Sequence, residues 1–246
     1  DNIGVFDRNH MPPGIKKLQQ ADATSWMAMY AINMLRMSLE LAQHNKAYEE
    51  SAAKFFCHFL NIGWAMHHIG KKDISLWDDQ DSFYYDAIQF ENGTSQRLRI
   101  RSLVGIIPLL AVEIMHKDIF EKLRQFNTRL QVIRLTRPDL TRIISDIEKR
   151  NRDGNYLFAI MIGDRLEHLL KRLLDEAEFL SDYGIRSLSK IHQEKPYVFG
   201  YQGHNYTIQY EPGESSSSMF GGNSNWRGPI WFPLNYLIIH SLRKYY

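Results

Sequence analysis

Cysteine is nearly absent from this chain. Cys57 is the single one in 246 residues, so no internal disulfide can form and no cysteine-based zinc site can assemble. No uninterrupted apolar run reaches the length of a membrane-spanning helix, and no signal-peptide pattern is present. Exported proteins also manage without disulfides, so the compartment stays open, with the cytoplasm favoured. An excess of one charge is missing too: the net charge is +2, and no Lys/Arg stripe offers a phosphate-binding surface, which sets nucleic acid aside as a partner. The sequence has no Gly-x-Ser-x-Gly, no His-Glu-x-x-His and no phosphate-cradling glycine loop. Cys57 lies on an apolar helical face, where a thiol is inert. His67 and His68 are neighbours on a helix and point in different directions, which makes them poor co-ligands. The one dense acidic segment breaks at Ser82-Phe83, where a calcium loop would need its glycine and a distant glutamate. Neither a metal nor a cofactor is expected.

What the chain does have is an ordinary globular composition, 44% hydrophobic and 24% charged, with aromatic residues at a high 13%. A chain of this length can bury a sizeable core as a single domain, residues 1–246. It opens at Asp1 without a Met and stops at Tyr246 inside an apolar helix, as expected of a portion cut from a longer protein at both ends.

Helical periodicity begins near Asp22, with Asp22 or Thr24 as N-cap, and Trp26, Met29, Tyr30, Ile32, Met34, Leu35, Leu39 and Leu41 form a wide apolar face. A second long helix over roughly 46–69 closes at Gly70, so the two should form an antiparallel pair. Residues 83–90 and 97–101 read as strands joined by a hairpin at Asn92-Gly93. Further helices are expected over 103–116, 117–132, 139–150 and 164–179, then short extended pieces to 210 and a polar loop over 211–225. Two sequons, Asn92-Gly93-Thr94 and Asn205-Tyr206-Thr207, are read as turn and strand. The last helix follows Pro229 and Pro233, with Leu234, Leu237, Ile238 and Leu242 on its inner face.

Two stretches carry chemistry. Trp77 to Asp86 gathers four carboxylates among aromatic residues, a combination that suits a sugar: rings stack on a pyranose face while carboxylates accept pairs of hydroxyls. Its alternative is a solvated acidic turn. Asn225-Trp226-Arg227-Gly228-Pro229-Ile230-Trp231 sets an indole beside a guanidinium fork at the mouth of a helix, suited to the same ligand or to a plain helix-entry turn. With nucleophilic and metal chemistry unsupported, carboxylate acid–base chemistry on a glycosidic bond remains. It needs two acids about 6.5–9.5 Å apart for inversion, or about 5 Å for retention.

Together with Tyr183-Gly184-Ile185-Arg186-Ser187-Leu188-Ser189, these two stretches resemble glycoside hydrolase family 63, which includes mannosyl-oligosaccharide glucosidases and is distantly akin to family 37 trehalases. The resemblance keeps the family's order of motifs and implies an all-α, (α/α)6 toroid, here with a small β-hairpin insertion. It implies an inverting α-glycosidase, α-glucosidase-like, acting on an oligosaccharide or small glycoside without a cofactor. The general acid would be Asp1, with Asp22 as second choice. The general base would be a Glu after the helix that follows the Trp-Arg-Gly segment, past Tyr246; the portion in hand would then be nearly inactive. Glu211 and Glu214 precede that segment, in the wrong order. Ser82 stands where the pattern has Gly. By the same resemblance Trp77, Asp78, Asp79, Tyr85, Asp86, Arg186, Trp226, Arg227 and Trp231 would line the sugar pocket. A non-catalytic helical domain that binds carbohydrate or a partner protein is the alternative, and a sugar lyase or epimerase a third.

Overall fold

A computed structural model describes residues 5–6, 10–68, 75–143, 150, 153–212 and 230–246. Helices dominate, and the expected hairpin is joined by several further small antiparallel sheets. The chain separates into two compact units: one holds 1–22, 76–107 and 164–237, the other 23–75, 108–163 and 238–246.

The first unit is built on strands. β1 (Ile15–Gln19) pairs antiparallel with β4 (Asp86–Phe90), which pairs with β5 (Ser95–Leu98). The β4–β5 turn is the one that Asn92-Gly93 predicts. Asn92 Oδ1 accepts the Thr94 N–H at 2.9 Å, and Gly93 takes φ +82, a conformation open to glycine at no steric cost. Between β1 and β4 in sequence lie β2 (Trp77–Asp78) and β3 (Phe83–Tyr84), paired with each other. Val5, Phe6, Ile15, Ile88, Leu98, Ile100, Leu188, Phe199 and Ile208 form one core cluster of this unit.

The second unit is helical. α1 (Ala21–Ala42) and α2 (Tyr48–His67) run antiparallel, with Ser25 near the start of α1 donating its hydroxyl to Met66 Sδ near the end of α2. The buried stripe of α1 is narrower than its apolar content suggests: Ala28, Ala31, Ile32, Leu35, Leu39 and Ala42 are inside, while Tyr30 is 57% exposed and Leu41 is exposed as well. Alanines share the buried stripe with Ile32, Leu35 and Leu39, while Met27 and Met37 join Tyr30 and Leu41 among the exposed residues. Phe56 of α2 meets Phe126 and Phe158 edge-on, at 6.2 and 5.6 Å between ring centres.

Residues 103–116 depart from the helix expected of them. Leu103–Gly105 and Ile107–Leu110 are separate 3-10 turns, and Val112–Met115 is a strand, β6. The run is apolar on every side, so it lacks the polar face of an amphipathic helix, and Pro108 has no N–H to continue one. Gly105 sits against the Phe83 ring and the Tyr84 carbonyl so closely that a Cβ has no room. The next expected helix is also divided: α3 (Lys117–Lys122) stops at Leu123, and α4 (Arg124–Thr136) begins there. Glu49 of α2 accepts the Phe126 N–H at 2.8 Å, satisfying one of the amide donors that a helix start leaves open. α5 spans Pro138–Ile143, and the rest of the helix expected over 139–150 lies outside the described residues apart from Arg150. β7 (Tyr156–Ala159) pairs with β6.

The remaining elements are α6 (Gly163–Leu173), β8 (Leu180–Ser181), β9 (Gly184–Ile185), the short α7 (Ile191–Glu194), β10 (Tyr197–Tyr201), β11 (His204–Ile208) and α8 (Phe232–Tyr245). β10 and β11 form a hairpin whose two turn residues, Gln202 and Gly203, both have positive φ, the combination that matches the twist of paired strands. On α8 the buried positions Leu234, Ile238 and Ser241 follow the helical spacing read from the sequence.

Candidate functional site

The acidic segment is held by arginines. Asp78 is buried, and its Oδ1 accepts the backbone N–H groups of Gln80 and Asp81, both at 3.0 Å. Its Oδ2 accepts from Arg99 Nε and Nη2 at 3.1 and 2.9 Å, with Arg97 Nη1 at 3.5 Å. Burial alone would raise the Asp78 pKa, but the Asp81 N–H and the Arg99 guanidinium outweigh it and hold the carboxyl below its ordinary range. The turn that carries these groups closes through Ser82 at φ +50, the left-handed region where glycine would be easier. Asp79 is exposed.

Asp81 accepts the Tyr85 hydroxyl at 2.8 Å and Arg101 Nη2 at 3.0 Å. Tyr85 is buried, and desolvation pushes its phenol pKa well up. Arg101 also donates to Glu178 Oε1 at 3.0 Å, the oxygen that Arg172 Nη1 reaches at 2.6 Å, and Ser189 donates to Glu178 Oε2 at 3.2 Å. His192 completes the cluster. Its Nε2 accepts the Arg101 backbone N–H at 2.9 Å, so the proton is on Nδ1, which faces the Lys195 carbonyl at 3.1 Å. Burial pushes the His192 pKa below its ordinary value.

The signal for this network is in the sequence: Arg97, Arg99 and Arg101 alternate with Leu98 and Ile100, the period-two pattern of an extended segment with a charged and a buried face. Nothing local marks Glu178, Arg172 or His192, whose partners lie up to 91 positions away.

Trp77 is buried, at 3% exposure, edge-on to Tyr84 at 5.0 Å, with the Arg165 guanidinium 5.3 Å from its ring centre. Burial raises the Tyr84 phenol pKa to about 12. Asp86 accepts the Ala21 N–H at 2.7 Å and so caps α1 from a distant strand. Asp22, expected as the cap residue, lies inside the first turn of that helix at 1% exposure.

A cavity of about 550 Å³ opens beside the β8–β9 hairpin. Its walls include the carboxylates Glu176 and Asp182, the rings of Tyr183 and Tyr210, and the cations Arg186 and Lys190. Tyr183 stands at the hairpin tip, 87% exposed. Arg186 contributes more to construction than to free charge: one guanidinium nitrogen donates to the carbonyls of Glu176, Glu178 and Leu180. Of the residues expected in the pocket, Arg186 lines this cavity. Trp77, Asp78, Tyr85 and Asp86 lie together in the arginine-held segment, and Trp231 is half-buried at the start of α8. Asp1, Trp226, Arg227 and Glu214 lie outside the described residues; Glu211 is half-buried just before that gap. Glu176, Asp182, Tyr183, Lys190 and Tyr210 are among the cavity residues that the pocket expectation left out.

Among the described residues no group of His, Cys, Asp or Glu is placed to hold a metal ion, and no helix is long and apolar enough to cross a membrane.

The stretch that builds this cavity is also the stretch that matches a known family: residues 157–246 fit the model of the glycosyl hydrolase family 63 C-terminal domain. The chain is 45% identical over 258 aligned residues to the protein YMR196W of Saccharomyces cerevisiae, across 100% of its own length and 24% of that protein's. It is 42% identical over 96 residues to a probable mannosyl-oligosaccharide glucosidase of Schizosaccharomyces pombe, covering 37% of this chain and 9% of the relative. Its likeness is thus to glycosidases as a class. In particular residues 157–246 are similar to the family 63 C-terminal domain, and the chain spans about a quarter of the length of its yeast relative.

Proposed function

We propose that the chain forms part of an inverting α-glycosidase, α-glucosidase-like, whose substrate is an oligosaccharide or small glycoside. The observation that carries this reading is the cavity at the β8–β9 hairpin, inside the family-matched stretch, where two phenol rings stand beside the carboxylates of Glu176 and Asp182. In it a pyranose stacks on Tyr183 or Tyr210 while Asp182 and Glu176 accept its hydroxyls. By the family resemblance, Trp226, Arg227 and Trp231 are proposed as further contacts to the sugar. Asp1 protonates the leaving oxygen, with Asp22 as the second candidate, and a Glu activates the attacking water. The helices belong to an (α/α)6 toroid, for which the antiparallel α1–α2 pair supplies one hairpin.

The test is a panel of α-linked disaccharides offered to the full-length protein, with the first-formed anomer followed by proton NMR. An α-glucoside should release β-glucose first, and Asp1→Asn should lower the rate by about 10²–10⁴-fold. Release of the α-anomer first, or full activity in Asp1→Asn, would overturn the assignment. Saccharide binding without turnover would favour the non-catalytic binding domain. That second reading draws on the commitment of Asp78, Asp81 and Glu178 to arginines.

A further inference from the structure

The hairpin that rims the cavity has only two residues in its turn, Asp182 and Tyr183, between the paired Ser181 and Gly184. So short a hairpin has little stability of its own. On the inner side Ser181 Oγ donates to the Gly184 carbonyl at 2.7 Å, and Arg186 gathers the carbonyls behind it. The outer side is held by a side chain from the first turn of α8. Asn235 Oδ1 accepts the Ile185 N–H at 2.7 Å, and its Nδ2 lies 3.4 Å from the Ile185 carbonyl. The amide therefore occupies the place of a neighbouring strand, meeting both backbone groups of one residue. The same Nδ2 donates to the Trp231 carbonyl at 2.9 Å, which fixes the side chain to its own helix.

Gly184 makes this fit possible. Its φ is +127, and a Cβ there would lie 2.7 Å from Asn235 Oδ1 and 3.2 Å from Ile230 Cγ2. The glycine and the asparagine are thus complementary: one leaves the space that the other fills.

We propose that Asn235 is a positioning residue for the cavity, setting the distance between the Asp182–Tyr183 rim and the cavity wall at Ile230. The role in saccharide binding rests on the glycosidase reading; the clamp itself does not. Because the side-chain hydrogen bonds of Asn235 among the described residues all go to backbone, it acts through Tyr183 and Asp182.

The experiment pairs amide hydrogen exchange with kinetics on the full-length protein. Asn235→Leu removes all three polar contacts at similar volume. Exchange at the Ile185 amide should accelerate at least about tenfold, and KM for the α-glucoside should rise about tenfold with kcat changed less than about threefold. Gly184→Ala, which pushes a methyl group into the amide, should reproduce both effects, and the double variant should be no worse than the more affected single one. If the leucine variant does not fold, Asn235→Asp keeps the acceptor and loses the donors, and exchange at Ile185 should still be faster than in the wild type. Ile185 exchange unchanged in the folded variants, or kcat lost with KM intact, would overturn the proposal. Should the wild-type protein turn over no glycoside while Ile185 exchange still responds, the clamp is upheld and the glycosidase reading is what fails.

Discussion

Arg99 closes on one oxygen of Asp78 with two donors, Nε at 3.1 Å and Nη2 at 2.9 Å. The other oxygen of Asp78 is spent on the turn that leads to Asp81. A carboxylate engaged in this way orders the Trp77–Asp86 segment, and its charge is already balanced.

Asp78→Ala should therefore act on stability. It removes one acceptor from each of two arginines and leaves two turn amides open, a loss of about 2–3 kcal/mol once the exposure of Arg99 is allowed for. The urea midpoint is the measurement, and an unchanged midpoint would remove Asp78 from the framework.

His192 makes the fold sensitive to acid. It is held neutral, with its pKa below the ordinary 6.5, first by burial and then by the Arg101 charge. The unfolded chain takes up the proton at higher pH than the folded one, so this contribution is complete above pH 6.5 and is lost as pH falls below it toward the folded pKa. The melting temperature should decline over that window, and His192→Gln should flatten that part of the profile. A wild-type melting temperature constant across it would contradict the assignment.

Trp77 is the ring the sequence offers to a sugar and Tyr183 the one the cavity offers, and their surroundings separate them. Trp77 is at 3% exposure and Tyr183 at 87%. Trp77→Ala should cost about 3–5 kcal/mol, as for a large ring removed from a core. Tyr183→Ala should leave the melting temperature within about a degree or two and weaken saccharide binding, by about 1–3 kcal/mol if the ring stacks on the ligand. Thermal melts and calorimetric titration with a glucoside read both effects, and the reverse pattern would exchange their roles.

The sequence by itself determined what short-range physics governs. The periodicity of α1, α2 and α8, the Asn92-Gly93 hairpin and the strand-like alternation of Arg97 to Arg101 depend on residues within a turn or two of one another. The family resemblance was equally legible, because it rests on the order of compact motifs.

Tertiary structure decided everything that depends on distant neighbours. Residues 103–116 look helical by apolarity, yet they are buried from Leu103 to Glu113 and crowded at Gly105 by Phe83 and Tyr84, so they break into short turns and a strand. An aspartate in an acidic motif reads the same whether it meets a sugar or an arginine. Asp78 is committed by guanidinium groups 19 and 21 positions away, and Asp86 by a helix start 65 positions away. Burial sorts the rings in the same way, setting Trp77 in a core and Tyr183 on a rim that an asparagine 50 residues later holds in place. Residue type limits what a side chain can do; which partner reaches it first is a matter of packing across the whole chain.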